Sequence, residues 1–551
     1  QLLKQSLEAV VARHEALRTT FEHDGGALRQ VVHSRLPPAW REVDLGQLPP
    51  GEREAEAERL GGSESVAPFD LARGPLLRAC LIRLADDAAI LHLTLHHAVA
   101  DGWSLGVLLD DLESAYRALA RGRRPQLPEP AIQYADFTLW QLDQLAGGAF
   151  DDQLEYWRRK LEGIGDLDIQ PDFRRPARKS WRSEILSREL PVGLTSALGE
   201  LAESEGASLF MVMLGAYASL LHRHSGQDDI VTGSPVAGRT RPEVQRLIGV
   251  FINTLLYRID FAGRPTIREV VARVRQVAGE ALENQDIPFD RVVKALAPGR
   301  ELGRNPLTQA NFTHQRSFAR VREIDGVRIE GIPSRPFGTL FDLHISAVER
   351  AGEWLASIEF STDLFRRESA RRMLDQFVAI LEAAASNPET PVGEIELVAG
   401  DERRLLLDWS WRESEFPDQS TIEREFAAVA SRHGGRTALV AGGEATSYRE
   451  LDELASTIAD GIGGAGIARG AAVGLRIERS ADWIAAALGA LKAGCCYVPI
   501  DPGYPPERID FLIEDTGCQL VIERDQGDLA LHPVARGVAG GAGVADAGQL
   551  P

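Results

Sequence analysis

Cysteine is scarce in this chain. The 551 residues contain four: Cys80, Cys495, Cys496 and Cys518. So few cysteines exclude a disulfide-stabilised scaffold, and no CxxC pair is present to begin a zinc site. This usage fits a reducing compartment, and we expect a cytoplasmic protein. The adjacent pair Cys495-Cys496 predicts two small buried residues.

Long apolar runs are also absent. No stretch reaches the roughly 18 to 20 apolar residues that a bilayer-spanning helix needs. The longest candidate, residues 207–221, contains Ser208 and Ser219 and continues into His222-Arg223-His224. This composition predicts a buried core helix, and we expect no membrane partner.

Positive charge is in deficit. The chain has 61 Lys and Arg against 81 Asp and Glu, which gives a formal net charge of −20. A nucleic-acid surface needs clustered positive charge to replace counterions, so we expect no nucleic-acid partner. Hydrophobic residues at 44% and charged residues at 26% are ordinary for a folded globular chain and exclude general disorder. At roughly 150 residues per domain, the length predicts three or four units or two large ones.

Proline-rich, charged connectors divide the chain into segments. Strands and helices alternate irregularly before residue 395, and a regular helix–strand pattern begins after residue 420. Because Gln1 already lies in an amphipathic helical pattern, we expect the first lobe to lack its extreme N-terminus. We predict an N-terminal lobe (1–130), a bridging helical region (131–170), a C-terminal lobe (171–395), a linker (396–420), an α/β segment (421–525) and a frayed tail (526–551).

A strand, a polar turn and a helix follow one another in the first lobe. Residues 89–97 alternate between leucine and polar side chains, which predicts a strand. Leucines then recur at helical spacing from Leu105, and Ser104 stands where an N-cap would. The turn 97–103 therefore lies at a strand end, between two apolar elements.

This turn carries His96-His97-x-x-x-Asp101-Gly102. An imidazole has a pKa near neutrality, so His97 can take a proton from a nucleophile or hydrogen bond to it. A carboxylate at Asp101 can pair with an arginine and brace the turn. Gly102 has no Cβ, which allows a positive φ and the close approach of a ligand. The alternative interpretation is a buried histidine pair followed by a helix-capping aspartate.

Five further segments extend this pattern in order along the chain. Together the six segments resemble the condensation domain of nonribosomal peptide synthetases, whose signature is His-His-x-x-x-Asp-Gly. The family's first motif is missing, which agrees with the expected loss of the N-terminus. The segments similar to the second to seventh motifs are 13–21, 96–102, 134–140, 248–258, 284–290 and 304–307.

The resemblance implies an α/β (α+β) fold with two lobes, each similar to chloramphenicol acetyltransferase. The lobes would meet in a V-shaped pseudodimer, with the His97 turn at their junction. It also implies a reaction: the amine of an aminoacyl thioester on a downstream carrier protein attacks an acyl thioester on an upstream one. The partners implied are these two carrier proteins with their phosphopantetheine arms. The chain itself would bind no cofactor and no metal.

In this family the second histidine, here His97, is the central catalytic residue. An α-amino group with a pKa of about 7.7 to 8 is already roughly a tenth neutral at pH 7. Full deprotonation by His97 is therefore not obligatory, and positioning the amine or relaying its proton can suffice. We expect His96 to shape the strand end, with Gly102 completing the motif.

The resemblance also implies supporting residues. Asp101 would pair with an arginine in the family manner, and two candidates stay open: Arg258, which closes the fifth motif, and Arg18. We expect Trp103 in the core or in a channel wall. Asn305 is expected to order the opposite lobe.

Two other patterns suggest a cofactor site and a metal site, but their sequence context argues against both. Residues 461–466 match GxGxxG, but this dinucleotide fingerprint must follow a strand and open a helix. Here it follows the predicted helix 448–462, which indicates a glycine-rich helix end. His222 and His224 lack a third ligand at suitable spacing, so we expect a solvated helix end there.

The segment after the linker has its own resemblance. Residues 446–451 and 491–502 are similar to the first two core motifs of an amino-acid adenylation domain. No Ser/Thr/Gly-rich phosphate loop with its lysine follows Pro502. We therefore expect this segment neither to bind ATP productively nor to select an amino acid, and the remainder of the adenylation domain to act in cis.

Three alternatives share the fold of the condensation domain. An epimerisation domain tends to carry Ser-Trp soon after the motif and a Gly-His-Gly segment, whereas this chain has Trp103-Ser104 and no Gly-His-Gly. A variant that modifies its substrate, for example by dehydration, stays open. So does a catalytically silent platform that docks carriers, although the intact His97, Asp101 and Gly102 favour catalysis.

Overall fold

The computed structural model describes most of the chain, which divides into two compact units, 1–404 and 405–551. Parts of the predicted linker (411–419) and of the predicted tail (535–547 and 550–551) lie outside the described residues. The described residues are 1–296, 303–317, 321–332, 338–350, 352–398, 400–410 and 420–534, with the backbone of 548–549.

Helices and strands are mixed along the whole chain. The helices are α1 (Leu2–Arg13), α2 (Pro50–Val66), α3 (Gly102–Ala120), α4 (Tyr134–Ala146), α5 (Asp151–Lys160), α6 (Val192–Ser204), α7 (Leu209–Ser225), α8 (Ile267–Glu283), α9 (Phe289–Leu296), α10 (Arg367–Ser386), α11 (Gly400–Ser410), α12 (Ile422–His433), α13 (Tyr448–Gly464), α14 (Ala481–Lys492) and α15 (Pro506–Asp515). The strands are β1 (Thr19–Asp24), β2 (Ala27–Val32), β3 (Ala39–Asp44), β4 (Leu77–Arg83), β5 (Ala89–Leu95), β6 (Ser183–Leu190), β7 (Asp229–Val236), β8 (Asn253–Asp260), β9 (Ala310–Arg316), β10 (Arg322–Ile324), β11 (Val327–Ile329), β12 (Leu343–Arg350), β13 (Glu353–Ser361), β14 (Thr437–Ala441), β15 (Glu444–Ser447), β16 (Ala472–Arg476), β17 (Cys496–Pro499), β18 (Cys518–Asp525), β19 (Asp528–Pro533) and β20 (Gly548–Gln549).

The larger sheet of the first unit has the strand order β6-β13-β12-β9-β7-β8 in the described part of the chain. β9 pairs parallel with β12 and with β7, and the other pairs are antiparallel. Alternate side chains of β12, namely Leu343, Ile345 and Ala347, are buried in the core that the sheet shares with its helices. This period of two is the pattern expected of a strand with one face on a core.

Helix α7 lies in that core, as the sequence predicts for residues 207–221. Its N-cap Ser208 accepts the N–H of Met211, and Gly226 ends the helix in the left-handed conformation. Among the described residues, no single helix is long and apolar enough to cross a membrane. The bent pair α6 and α7 passes on length and composition, with an angle of 103° between the two helices.

The N-terminal part of the first unit positions the His97 turn. Strands β3, β4 and β5 form a small sheet, and α1 and α3 contribute Leu7, Val10 and Leu108 to one hydrophobic cluster. Helix α3 begins at Gly102, capped by Asp101, whose side chain accepts the N–H of Ser104. The expectation that Ser104 is the N-cap is therefore wrong, because the helix starts earlier than its leucine pattern shows.

In the second unit, β16 pairs parallel with β17 and β18, and β19 continues the sheet antiparallel to β18. β19 lies within residues 526–551, where the sequence predicts a frayed tail, so that expectation is wrong for 528–533. Gln526 and Gly527 have φ of 47° and 103°. Two positive φ values favour a tight hairpin turn, which allows the apolar run that follows to join the sheet.

Candidate active site

The turn between β5 and α3 is fixed by its backbone. The N–H of His96 donates to the carbonyl of Leu76 at 3.0 Å, and the N–H of Val99 donates to the carbonyl of His96 at 3.1 Å. Val99 and Ala100 are buried behind the turn. These contacts tie the turn to the sheet, so the side chains that it presents have defined positions.

His97 presents its ring to solvent. Its side chain is exposed, and within the described part of the chain its ring makes no hydrogen bond or ion pair. Both ring nitrogens are therefore accessible to an incoming group. An imidazole side chain can serve as a general acid or base.

His96 has the opposite environment. Its ring is half-buried, lies edge-on to Phe69 with the ring centres 5.7 Å apart, and accepts the N–H of Ala98 at Nδ1 over 3.1 Å. Burial, followed by the nearby charge of His97, lowers the pKa of His96. Because Nδ1 accepts a hydrogen bond, the neutral ring carries its proton on Nε2. This geometry supports the prediction that His96 shapes the strand end.

Asp101 lies in a buried network. Its Oδ1 accepts the N–H of Ser104 at 2.8 Å and lies 2.7 Å from the hydroxyl of Ser104. Its Oδ2 accepts the N–H of Phe251 at 3.0 Å, and Arg239 donates to Oδ1 at 3.1 Å. Both lone-pair sets of the carboxylate are thus in use, which offsets the cost of burying its charge.

Neither arginine that we considered for Asp101 is its partner. Arg258 lies on β8 and donates to Asp229 on the neighbouring strand, at 2.9 and 2.7 Å. Arg18 pairs with Glu15 at 3.0 Å within one turn of chain. Both expectations are wrong because each arginine finds a closer carboxylate: one on the adjacent strand, the other three residues away along the chain.

Arg239 is the partner of Asp101, and sequence reasoning missed it. Its guanidinium also donates to the carbonyls of Val244 and Leu247, at 2.5 and 2.8 Å, and lies 4.2 Å from the ring centre of Phe251. Burial lowers the pKa of Arg239, and the charge of Asp101 opposes this shift. Arg239 is 138 residues from Asp101 in the chain and belongs to none of the family segments, so only the folded contact reveals it.

A glycine makes the close approach of the Arg239 segment possible. Gly238 has φ of 62°, and a Cβ there would lie 1.9 Å from the carbonyl oxygen of Phe251. Any other residue at this position would displace the backbone on one side. Gly238 is therefore part of the structure that brings Arg239 to Asp101.

The remaining predicted site residues are spread over the first unit. Gly102 is the first helical residue of α3 and is not among the residues with positive φ, so the expectation of a positive φ is wrong, while the close approach of a ligand stays a prediction. Trp103 is 41% exposed, which excludes the core, and its Nε1 donates to the carbonyl of Gln245 at 2.9 Å. Asn305 accepts from Lys179 at 3.3 Å, and among the described contacts none joins it to the His97 turn.

The patterns considered for metals and cofactors have structural partners. Within the described ranges, no group of three or more His, Cys, Asp or Glu is placed to hold a metal ion. His222 contacts the carbonyl of Gln227 at 2.7 Å, and His224 contacts Gln376 at 2.7 Å. Residues 461–466 lie at the C-terminal end of α13, as predicted.

Comparison with known proteins gives the family. The model of the family described as "Condensation domain" matches residues 1–407, and the model described as "AMP-binding enzyme" matches residues 426–543. The chain belongs to the condensation domain family. An N-terminal AMP-binding part follows this domain, and both resemblances stated from the motifs are confirmed.

The similar curated proteins are large synthetases. One polypeptide of the linear gramicidin synthase of Brevibacillus parabrevis is 39% identical over 527 residues, which is 95% of this chain and 10% of that polypeptide. Phosphinothricin tripeptide synthetase PhsC of Streptomyces viridochromogenes is 36% identical over 530 residues, 95% of this chain and 48% of that protein. This chain thus spans about a tenth of the length of the first relative and about half of the length of the second.

Solved structures agree with the mixed α/β fold. A four-domain nonribosomal peptide synthetase bound to AMP and glycine matches with a TM-score of 0.74 and 25% identity, over 95% of this chain and 40% of that one. The X-domain from teicoplanin biosynthesis, solved in complex with OxyB, matches with a TM-score of 0.66 and 28% identity, over 73% and 88%. The predicted fold class is confirmed.

Proposed function

We propose that this condensation domain forms a peptide (amide) bond. An upstream acyl or peptidyl thioester and the amine of a downstream aminoacyl thioester are the substrates, each carried on the phosphopantetheine arm of a carrier protein. The observation that carries this proposal is the exposed ring of His97 on a turn that the buried Asp101–Arg239 pair fixes. Similarity to named peptide synthetases supports it.

The chemistry needs little beyond orientation and one proton transfer. The amine nitrogen attacks the thioester carbonyl, a C–N bond forms, the C–S bond breaks, and the amine proton ends on the departing thiol. His97 orients the amine, takes its proton and returns a proton to the sulfur. A positioned acid–base group is typically worth about 10² to 10⁴ in rate, and orientation can contribute more.

The direct test supplies the chain with two carrier proteins, one loaded with an acyl group and the other with an amino acid. We expect the acyl group to move to the acceptor carrier, with a mass gain on that carrier equal to the acyl group less the hydrogen that it replaces on the amine. A folded chain that leaves both loads unchanged would contradict the proposal. A product with a changed mass or inverted α-carbon would instead indicate a modifying or epimerising variant.

A docking platform is the second candidate, and one observation favours it. The X-domain with a similar fold was solved in complex with another protein, OxyB. A platform would bind loaded carriers with measurable affinity and transfer nothing. Calorimetric binding of each carrier, measured beside the transfer assay, separates the two functions.

A further inference from the structure

A four-residue segment from the C-terminal part of the first unit, 248–251, lies against the elements that build the His97 turn. The carbonyl of Gly249 accepts the N–H of Asp101 at 3.1 Å, and the N–H of Phe251 donates to Asp101 Oδ2 at 3.0 Å. The hydroxyl of Ser104 accepts the N–H of Gly249 at 3.1 Å. This segment is therefore hydrogen bonded to the N-terminal cap of α3.

The first residue of the segment is anchored elsewhere. The side chain of Ile248 is 1% exposed. It packs in the same hydrophobic cluster as Leu7 and Leu108, which are both far from it in the sequence. Its N–H points at Nδ1 of His14, at 3.4 Å. Hence the segment is held at one end by His14 and at the other by Asp101.

His14 is itself fixed in a buried network. Its side chain is 1% exposed, and its Nε2 lies 2.8 Å from Oδ2 of Asp111, which also pairs with Arg13. Burial lowers the pKa of His14, although the hydrogen bond to Asp111 opposes this shift. A neutral ring with its proton on Nε2 donates to Asp111 and leaves Nδ1 free to accept from Ile248.

These contacts attach the segment 248–251 to α3 at two points, directly at Asp101 and through His14 at Asp111. Asp101 begins the helix and Asp111 lies ten positions later, which is about 15 Å along the axis. The segment 248–251 holds the start of the helix, while His14 links the same segment to its middle. Two attachment points prevent the helix from rotating against the segment, as a single point would not.

We propose that His14 is a positioning residue for the reaction, acting through Ile248 and Asp101 on the turn that carries His97. This inference rests on the proposed function, because it concerns the placement of the reacting group. His97 lies four residues before Asp101, so a shift of the helix start moves its ring. A misplacement of about 1 Å can cost as much as 10²-fold in rate.

Two substitutions separate the bonds of His14. The side chain of His14→Gln can still donate to Asp111 but has no acceptor at the position of Nδ1 that faces Ile248, whereas His14→Asn keeps an acceptor near the Nδ1 position and loses Asp111. We expect His14→Gln to lower kcat of transfer about tenfold or more with an unchanged KM for the acceptor carrier. His14→Asn should recover part of this loss without melting at a higher temperature than His14→Gln.

A matched histidine serves as control. His222 also binds a backbone group, the carbonyl of Gln227, but lies outside the contacts around the turn. His222→Gln should leave kcat per folded molecule within about twofold of the unmodified chain, even if the variant is less stable. If kcat per folded molecule is the same for His14→Gln and the unmodified chain, the proposal is overturned.

Hydrogen exchange in the unmodified chain tests the contact itself and does not depend on catalysis or on variants that fold. The amide of Ile248 should exchange at least tenfold more slowly than an exposed amide. Exchange at the unprotected rate would overturn the role of His14, whatever the transfer assay shows. Failure of transfer by the unmodified chain, with Ile248 protected, would count against the proposed function instead.

Discussion

Two aspartate–arginine pairs of the first unit share the same chemistry and differ in how deeply they are buried. In the Asp101–Arg239 pair the side chains are 2% and 1% exposed, and backbone groups hydrogen bond to both partners. In the Arg258–Asp229 pair they are 27% and 44% exposed. Water screens the second pair, whereas the first exists only because the fold satisfies both charges.

The difference in burial shows which kind of ion pair can hold distant segments of the chain together. An exposed pair adds little to stability and can open without consequence. A buried pair that is satisfied on both sides fixes the parts of the chain that supply it. Asp101 and Arg239 therefore tie the His97 turn to the segment after β7, which no pair at Arg258 could do.

The largest expected effect is that of breaking the buried pair. Arg239→Ala leaves Asp101 charged and buried, and also removes one donor from each of the carbonyls of Val244 and Leu247. We expect a loss of about 3 to 5 kcal/mol in the free energy of unfolding. Urea denaturation at pH 7 measures it, and a loss below about 1 kcal/mol would show that the pair does not tie the segments together.

Another ionisable side chain of the first unit, His314, is half-buried. His314 on β9 stacks on Trp354 with the ring centres 4.6 Å apart, and among the described atoms its Nε2 has no hydrogen-bond partner. Burial lowers its pKa to about 4. As the pH falls below about 6.5, the unfolded chain binds a proton that the folded chain refuses, so stability declines until the pH reaches about 4.

His314→Phe keeps the stacked ring and removes this titration. Between pH 7 and pH 4, the free energy of unfolding of the variant should fall by about 3 kcal/mol less than that of the unmodified chain. Denaturation curves at several pH values measure the difference. His224→Gln, at an exposed position, is the control and should follow the unmodified chain; equal acid sensitivity of the His314 variant would contradict the account.

The smallest effect is expected at the exposed pair. Asp229→Asn weakens this pair and leaves the bonds from Arg258 to the carbonyls of Lys160 and Glu162 in place, so it should change the free energy of unfolding by less than about 1 kcal/mol and leave the transfer rate intact. The same urea titration as for Arg239 measures it. A loss as large as that of Arg239→Ala would remove the distinction between the two pairs.

Local patterns predicted the elements of the site, because they are set by nearby residues. The alternation in 89–97 and the helical spacing of the leucines after Ser104 located the strand, the turn and α3 within a few residues. The apolar run of α7 likewise predicted a buried helix. The motif around His97 then led to the family.

Contacts between distant segments were out of reach of the sequence. Arg239 and the segment 248–251 meet Asp101 only after two parts of the chain have packed, and no periodicity reports this. The motif-ending Arg258 was the natural candidate, but the register of β7 and β8 turns it towards Asp229. In the second unit, Gln526 gave no sign of the hairpin turn that its positive φ forms, since Asn or Asp is the usual residue there.

The most direct test of the central claim is the transfer rate of His97→Ala between two loaded carriers, measured together with its free energy of unfolding. Since the ring is exposed, stability should stay within about 0.5 kcal/mol of the unmodified chain. Transfer should slow by about 10² to 10⁴. A variant that transfers at the unmodified rate would remove His97 from the reaction and contradict the account.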